Sequence, residues 1–277
     1  MIIFQELESV MPNNEVRVER RELYYSQIED SILQDIYQKY LFCLPKRIKE
    51  YAFKKVYSFS QSKYDEIISL GANCATATLL RKLGLRRWSY PFDWVSREDI
   101  GNRIDLILNN FENYFNFDDF SFEVKHGKYY AQNHRTGYLM PHDFGRMTQA
   151  GPMATYQSAN EKYIRRIKRF YVNVRGREVL FVYFEMSKNE SKIDIKYLMN
   201  LLLLLKQKTK ANKVDLLVFR PAIERGEFVE EYILKREKLS IFLSKYPFDL
   251  YKSKKWDGLQ HYMTQDVKIV CNCVDAL

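Results

Sequence analysis

Hydrophobic positions follow two regimes along the chain, and the change between them sets the expected architecture. Beyond residue 160 the pattern is regular. Residues 179–184 and 214–219 are nearly continuous apolar runs, as in strands buried on both faces of a parallel sheet. The stretches between them carry apolar residues at the spacing of amphipathic helices. The pattern predicts a helix over 160–173, a strand over 178–185, a helix over 192–208, a strand over 213–220, a helix over 228–244 and a short strand near 247–252. Strands joined by helices pack as right-handed βαβ units. The expected fold class is therefore α/β: a Rossmann-like or hydrolase-like, mostly parallel open sheet flanked by helices. Such sheets bind ligands beyond the carboxyl ends of their strands, where Glu185 and Arg220 are expected beside the end of an earlier strand.

The first half is less periodic. Residues 1–60 read as an N-terminal helical segment: after a strand-like start, Ile28, Ile32, Leu33, Ile36, Tyr40 and Leu41 keep the helical period over 28–41. Pro45 interrupts it, and a second helix is expected over 48–56. Serine-rich residues 58–62 read as a linker into an α/β domain over 61–277. In that domain a helix over about 99–110 leads to an irregular loop region, 111–160, which holds His126, His134 and His142. Long irregular stretches in compact domains tend to be functional loops or lids.

Residues 64–74 read as a buried strand ending in a tight turn, Gly71-Ala72-Asn73, with Cys74 where a helix begins and Gly84 where that helix stops. A thiol at a helix N-terminus faces the positive end of the macrodipole, which favours the reactive thiolate. Unpaired N–H groups around Gly71 and Ala75 could hold an oxyanion. Asn73 serves either as a local cap or as a further amide donor. The competing reading makes Cys74 a small buried core residue, the usual fate of a free cysteine.

Composition narrows the choice. A chain of 277 residues with 46% hydrophobic and 15% aromatic content is long enough and apolar enough to bury a sizeable core. Four cysteines at 43, 74, 271 and 273 form no disulfide framework, which suits a reducing cytoplasm. Cys271 and Cys273 would share one face of a strand, but a single Cys-x-Cys pair is poor support for zinc, and no metal is expected. The N-terminus lacks the features of a signal peptide, and the apolar run 198–205 is too short to span a membrane. Net charge is +9, and its densest cluster includes Arg165, Arg166 and Arg169, which at helical spacing share a face suited to a phosphate-bearing or acidic partner. Nucleic acid is disfavoured, because no helix-turn-helix, zinc-finger or RNA-recognition signature accompanies the charge. No Walker loop or Gly-x-Gly-x-x-Gly fingerprint occurs, which disfavours ATP and NAD.

Ser69-Leu70-Gly71-Ala72-Asn73-Cys74, the helix end Leu83-Gly84-Leu85-Arg86, Ser89-Tyr90-Pro91-Phe92-Asp93-Trp94 and Met140-Pro141-His142-Asp143-Phe144 together resemble the signature of a bacterial family of unknown function described as papain-like cysteine peptidases. The resemblance covers about residues 63–260. It implies Cys74 as nucleophile and His142 as its base, with Asp93 or Asp143 as an orienting carboxylate. The pattern of the chain offers another partner. Papain-type enzymes place the cysteine on a long helix and the histidine on a later barrel-like half, whereas Cys74 follows a buried strand. In hydrolases whose nucleophile follows the first strand, the Asp and His come near the C-terminus, and Asp257 and His261 stand there. Either histidine remains a candidate.

Both arrangements suit a cysteine-dependent hydrolase or acyltransferase acting on an acyl group of a small molecule, peptide or glycan. No cofactor is required. The basic cluster would suit a coenzyme A thioester as acyl donor, and the resemblance suggests transfer to a bacterial polysaccharide. The alternative is a non-catalytic binding protein that holds an acidic glycan or a protein partner, with Cys74 buried and unreactive.

Overall fold

The apolar runs form the middle of a six-stranded sheet. The computed structural model describes residues 19–24, 62–71, 74–97, 99–145, 151–185, 194–222 and 228–247, with 263, 264, 266, 267 and 269–271. The strands in chain order are β1 (Glu19–Tyr24), β2 (Glu66–Gly71), β3 (Phe120–Lys125), β4 (Lys128–Asn133), β5 (Leu139–Met140), β6 (Glu178–Phe184), β7 (Lys213–Ala222), β8 (Phe228–Leu234) and β9 (Leu239–Pro247). The helices are α1 (Cys74–Lys82), α2 (Ile100–Leu108), α3 (Met153–Val174) and α4 (Ile195–Thr209). The large sheet runs β1-β8-β9-β7-β6-β2. Strands β2, β6, β7 and β9 are parallel, and β8 and β1 close one edge in antiparallel pairing. The chain is thus α/β, with a mixed, mostly parallel sheet flanked by helices.

Side-chain alternation divides the core between the two faces. Ile68, Phe181, Leu216 and Ile241 lie in one row across the register and share a core with Ile104 of α2, Phe170 of α3 and Leu202 of α4. Ile67, Leu180, Leu217 and Phe242 face the other way, onto Leu79 and Leu80 of α1 and the helical residues Met263, Val267 and Val270. Each fully buried aliphatic or Phe side chain contributes about 1.5–3 kcal/mol relative to exposure, so both faces of the strands need cover. The 198–205 run lies inside α4, and among the described residues no helix is long and apolar enough to cross a membrane.

Several expectations change. The helix expected over 228–244 is a β8–β9 hairpin turning through Lys235–Glu237 and a left-handed Lys238. Residues that read as the charged face of a helix are the turn and the rim, while Ile241, Phe242 and Leu243 fill the slot beside β7. The region expected to be irregular contains a small antiparallel sheet, β3-β4-β5. Its first hairpin turns at His126 and Gly127, with φ of 50° and 67°, the positive pair that a two-residue hairpin turn needs. Cys271 is helical and buried rather than on a strand, and among the described residues no cluster of His, Cys, Asp and Glu could hold a metal. From the N-terminal segment, Glu19–Tyr24 is a strand paired with β8. The helices expected over 28–41 and 48–56, Cys43, Cys273 and the expected strand beyond Pro247 lie outside the described residues.

Candidate active site

Strand β2 is an edge strand, and the chain after α1 returns along it. Tyr90 Oη donates to Glu66 Oε2 at 2.9 Å, Asn173 Nδ2 donates to Tyr90 Oη at 3.0 Å, and Arg177 pairs with Glu66 at 2.7 Å, which ties residues near 90 to the start of the strand. At the other end the register shifts between Ser69 and Gly71. Gly71 has φ of 85°, and a Cβ there would come within 2.7 Å of the Phe92 carbonyl and 2.8 Å of Arg103 Nη1. Only glycine fits, both for the left-handed backbone and for the close approach. Two bonds hold the turn: Gly71 N–H donates to Ser69 Oγ at 3.0 Å, and Thr76 Oγ1 donates to the Gly71 carbonyl at 3.4 Å. The Gly71 N–H, a candidate oxyanion donor, is therefore committed within its own turn. Cys74 is the first residue of α1 and is exposed; Ala75 follows it, buried.

Beneath this turn lies Arg103, fully buried. Its Nη1 donates to the Leu70 carbonyl at 2.6 Å and its Nη2 to the Arg97 carbonyl. The guanidinium sits 5.4 Å from the Phe92 ring centre and 5.0 Å from that of Tyr138, within cation–π range. Sequence reasoning missed it. The signal was there, because Arg103 stands on the apolar stripe Ile100, Ile104, Ile107 of α2, where a charge needs buried partners.

The histidine side is built differently. Asp93 is buried, and its Oδ2 accepts from Arg86 Nη1 at 2.7 Å and from the Tyr90 N–H at 3.1 Å. Burial raises its pKa to about 6 against the opposing pull of Arg86. The Arg86 guanidinium lies 5.6 Å from the Trp94 ring centre, and His142, itself exposed, meets Trp94 edge-on at 5.8 Å. Asp143 points to α3, accepting from Lys162 Nζ at 2.5 Å and Tyr163 Oη at 2.7 Å. The structure thus gathers Asp93, Trp94 and His142, while both carboxylates proposed to orient a histidine are bonded elsewhere. Among the described residues, Cys74 Sγ makes no hydrogen bond to His142.

The three arginines of α3 do not share one face. Arg165 is exposed, whereas Arg166 lies on the buried stripe with Tyr163 and Phe170. Arg169 donates to the Ser89 carbonyl at 3.0 Å and stacks 5.2 Å from the ring centre of exposed Trp88. The helical period had grouped them by their charge, but the core-facing stripe of α3 runs through Arg166. At the carboxyl edge of the sheet Glu185 and Arg220 pair at 3.6 Å, and burial raises the Glu185 pKa. Asn73, Asp257 and His261 lie outside the described residues.

Comparison with known proteins adds a family. A family model described as "Putative papain-like cysteine peptidase (DUF1796)" matches residues 65–221, more than half of the chain. The match runs from β2 into β7 and so includes Cys74, Asp93, His142 and Arg166 but neither Asp257 nor His261. An uncharacterized protein, R408 of Acanthamoeba polyphaga mimivirus, is 26% identical over 201 residues, covering 66% of this chain and 90% of the relative. That relative is viral and lends no support to a bacterial attribution. No solved structure matches the chain.

Proposed function

Because the chain belongs to the family described as putative papain-like cysteine peptidase, we propose that it is a cysteine-dependent hydrolase in which Cys74 attacks the carbonyl of a peptide or related acyl substrate. The observation that carries this reading is an exposed thiol on the first residue of a helix, at the carboxyl end of a buried parallel strand. Cys74 Sγ bonds to the carbonyl carbon as His142 accepts the thiol proton. The oxygen becomes an oxyanion facing the N–H groups of the first turn of α1. Collapse breaks the bond to the leaving group, His142 returns the proton to the departing amine, and water hydrolyses the thioester. His142 fills the base role better than His261 because it lies within the matched region and beside Trp94. Acyl transfer is the same course with an acceptor hydroxyl, such as a glycan's, replacing water; with a coenzyme A thioester the leaving group is a thiol.

The second reading, a non-catalytic binding protein, is favoured by the commitment of Asp93 and Asp143 to Arg86, Lys162 and Tyr163. Iodoacetamide labelling from pH 5 to 9, resolved by mass spectrometry, separates the two. We expect exposed Cys74 to label far faster than buried Cys271, and to slow in His142→Ala but not in His261→Ala. Labelling of Cys74 at the wild-type rate in both histidine variants would favour the binding protein.

A further inference from the structure

A group of charges beside His142 is left incomplete. Arg166 is buried, and its Nη1 has no hydrogen-bond partner among the described residues. Its guanidinium lies 5.3 Å from the Tyr163 ring centre, and its charge is close enough to act on both Asp93 and Arg86. Burial lowers the Arg86 pKa, and Asp93 acts against that. Asp93 Oδ1 is likewise buried without a hydrogen-bond partner among the described residues. Nearby, Lys162 and Asp143 form a balanced pair. The remaining three groups are two guanidiniums against one carboxylate, an excess of one positive charge, to which exposed Arg81 adds beside Arg86. A buried guanidinium N–H without an acceptor is costly. An oxyanion would satisfy it with a charge-assisted bond and balance the excess. Trp94 and exposed His142 border the same group.

We propose that Arg86 and Arg166 form a binding site for an oxyanion group, a carboxylate or a phosphate, carried by the molecule on which this protein acts. Asp93 sets its affinity. Its unbonded Oδ1 repels the anion when ionised and can donate to it when protonated. Assignment of the anion to a substrate rests on the function proposed above, whereas the binding itself does not.

The test is thermal unfolding of the full chain at neutral pH in increasing sodium phosphate or sodium acetate, against sodium chloride at matched ionic strength. Binding to the folded state raises the unfolding midpoint progressively with ligand concentration. The wild type is expected to be stabilised beyond the chloride control, with phosphate acting at lower concentration if the group is a phosphate and acetate if it is a carboxylate. Arg166→Met should lose that stabilisation. Asp93→Asn, which leaves a second positive charge unopposed and offers an amide N–H, should need about tenfold less anion, the factor that corresponds to one pKa unit of interaction. Cys74→Ser should respond as the wild type does, so failure of the cysteine chemistry and failure of this site are distinguishable. Stabilisation no greater than in chloride, or undiminished in Arg166→Met, overturns the proposal. If Arg166→Met does not fold, an unchanged anion requirement in Asp93→Asn overturns it instead.

Discussion

On the cysteine side of the β2 edge, a fully buried guanidinium grips the Leu70 and Arg97 carbonyls from below, and Gly71 leaves no room for a β-carbon between Phe92 and Arg103. On the histidine side, an exposed imidazole meets one indole nearly at right angles, and Asp93 and Asp143 bond to cations and a tyrosine of other segments. Backbone contacts and a buried charge brace the first side, whereas the contact seen at His142 is to a ring. A braced strand end at the proposed nucleophile and a less constrained ring at the proposed base are compatible with a site that completes itself when substrate arrives, since catalytic hydrogen bonds often tighten only in the complex. Each change below attacks one side and leaves the other as its control.

The largest effect is expected from Arg103→Met, which keeps the volume but removes the donors. The Leu70 and Arg97 carbonyls lose their partners, each at a cost of about 1–3 kcal/mol, so the loss should be about 4 kcal/mol by chemical denaturation. Alkylation of Cys74 should change with it, because the turn loses its brace, while the contact of His142 with Trp94 should remain. A variant as stable as the wild type would mean that the turn does not depend on the buried charge.

Asp93→Asn probes the other side through pH. Burial holds the folded-state pKa at about 6, above the ordinary 3.8. Between those values the folded protein keeps a proton that the unfolded chain has released, so stability falls as pH rises. The contribution is complete below about pH 4 and lost by about pH 6, and a difference of roughly two units corresponds to about 3 kcal/mol. Asparagine still accepts from Arg86 and Tyr90 but does not titrate. The stability of the wild type minus that of Asp93→Asn should therefore decline over pH 4–6 and level off above it. A flat difference in urea midpoints across that window would show that Asp93 titrates like an exposed carboxylate.

The same contrast governs what could be read without coordinates. Residues 179–184 and 214–219 announced buried parallel strands because nothing in them alternates, and burial on both faces removes alternation. Ser240, Ser244 and Lys245 in β9 broke that signal, and the charged residues 235–237 before it imitated a helix face. Pairing with β7 and β8 overrode the local pattern there. At the site, Gly71 and Cys74 were legible because a tight turn followed by a helix start is local chemistry. The partner of Leu70 was not, since Arg103 lies 33 residues away and helical spacing marks an arginine as inward without naming what it grips. Arg166 was grouped with Arg165 and Arg169 for the same reason: charge and helical spacing suggested one partner-facing surface, and the stripe through Tyr163 and Phe170 carries it into the core.

The smallest effect in stability, and the sharpest on the comparison, should come from Trp94→Ala. The indole touches the Arg86 guanidinium and the His142 ring at centroid distances of 5.6 and 5.8 Å. An edge-to-face pair or a cation–π contact near the surface contributes about 0.5–1.5 kcal/mol each, so losing both should cost the folded protein about 2 kcal/mol. The imidazole, however, loses the ring beside it. The ring current of an indole 5.8 Å away shifts the imidazole NMR resonances, so they should move toward those of a free histidine in Trp94→Ala and stay in place in Arg103→Met. Reactivity should follow the same division: if His142 serves the thiol, Trp94→Ala slows alkylation of Cys74 near neutrality although the β2–α1 turn is untouched. Unchanged His142 resonances would mean that something other than Trp94 holds the imidazole, and the proposal of a loosely held His142 as base for Cys74 would fail with it.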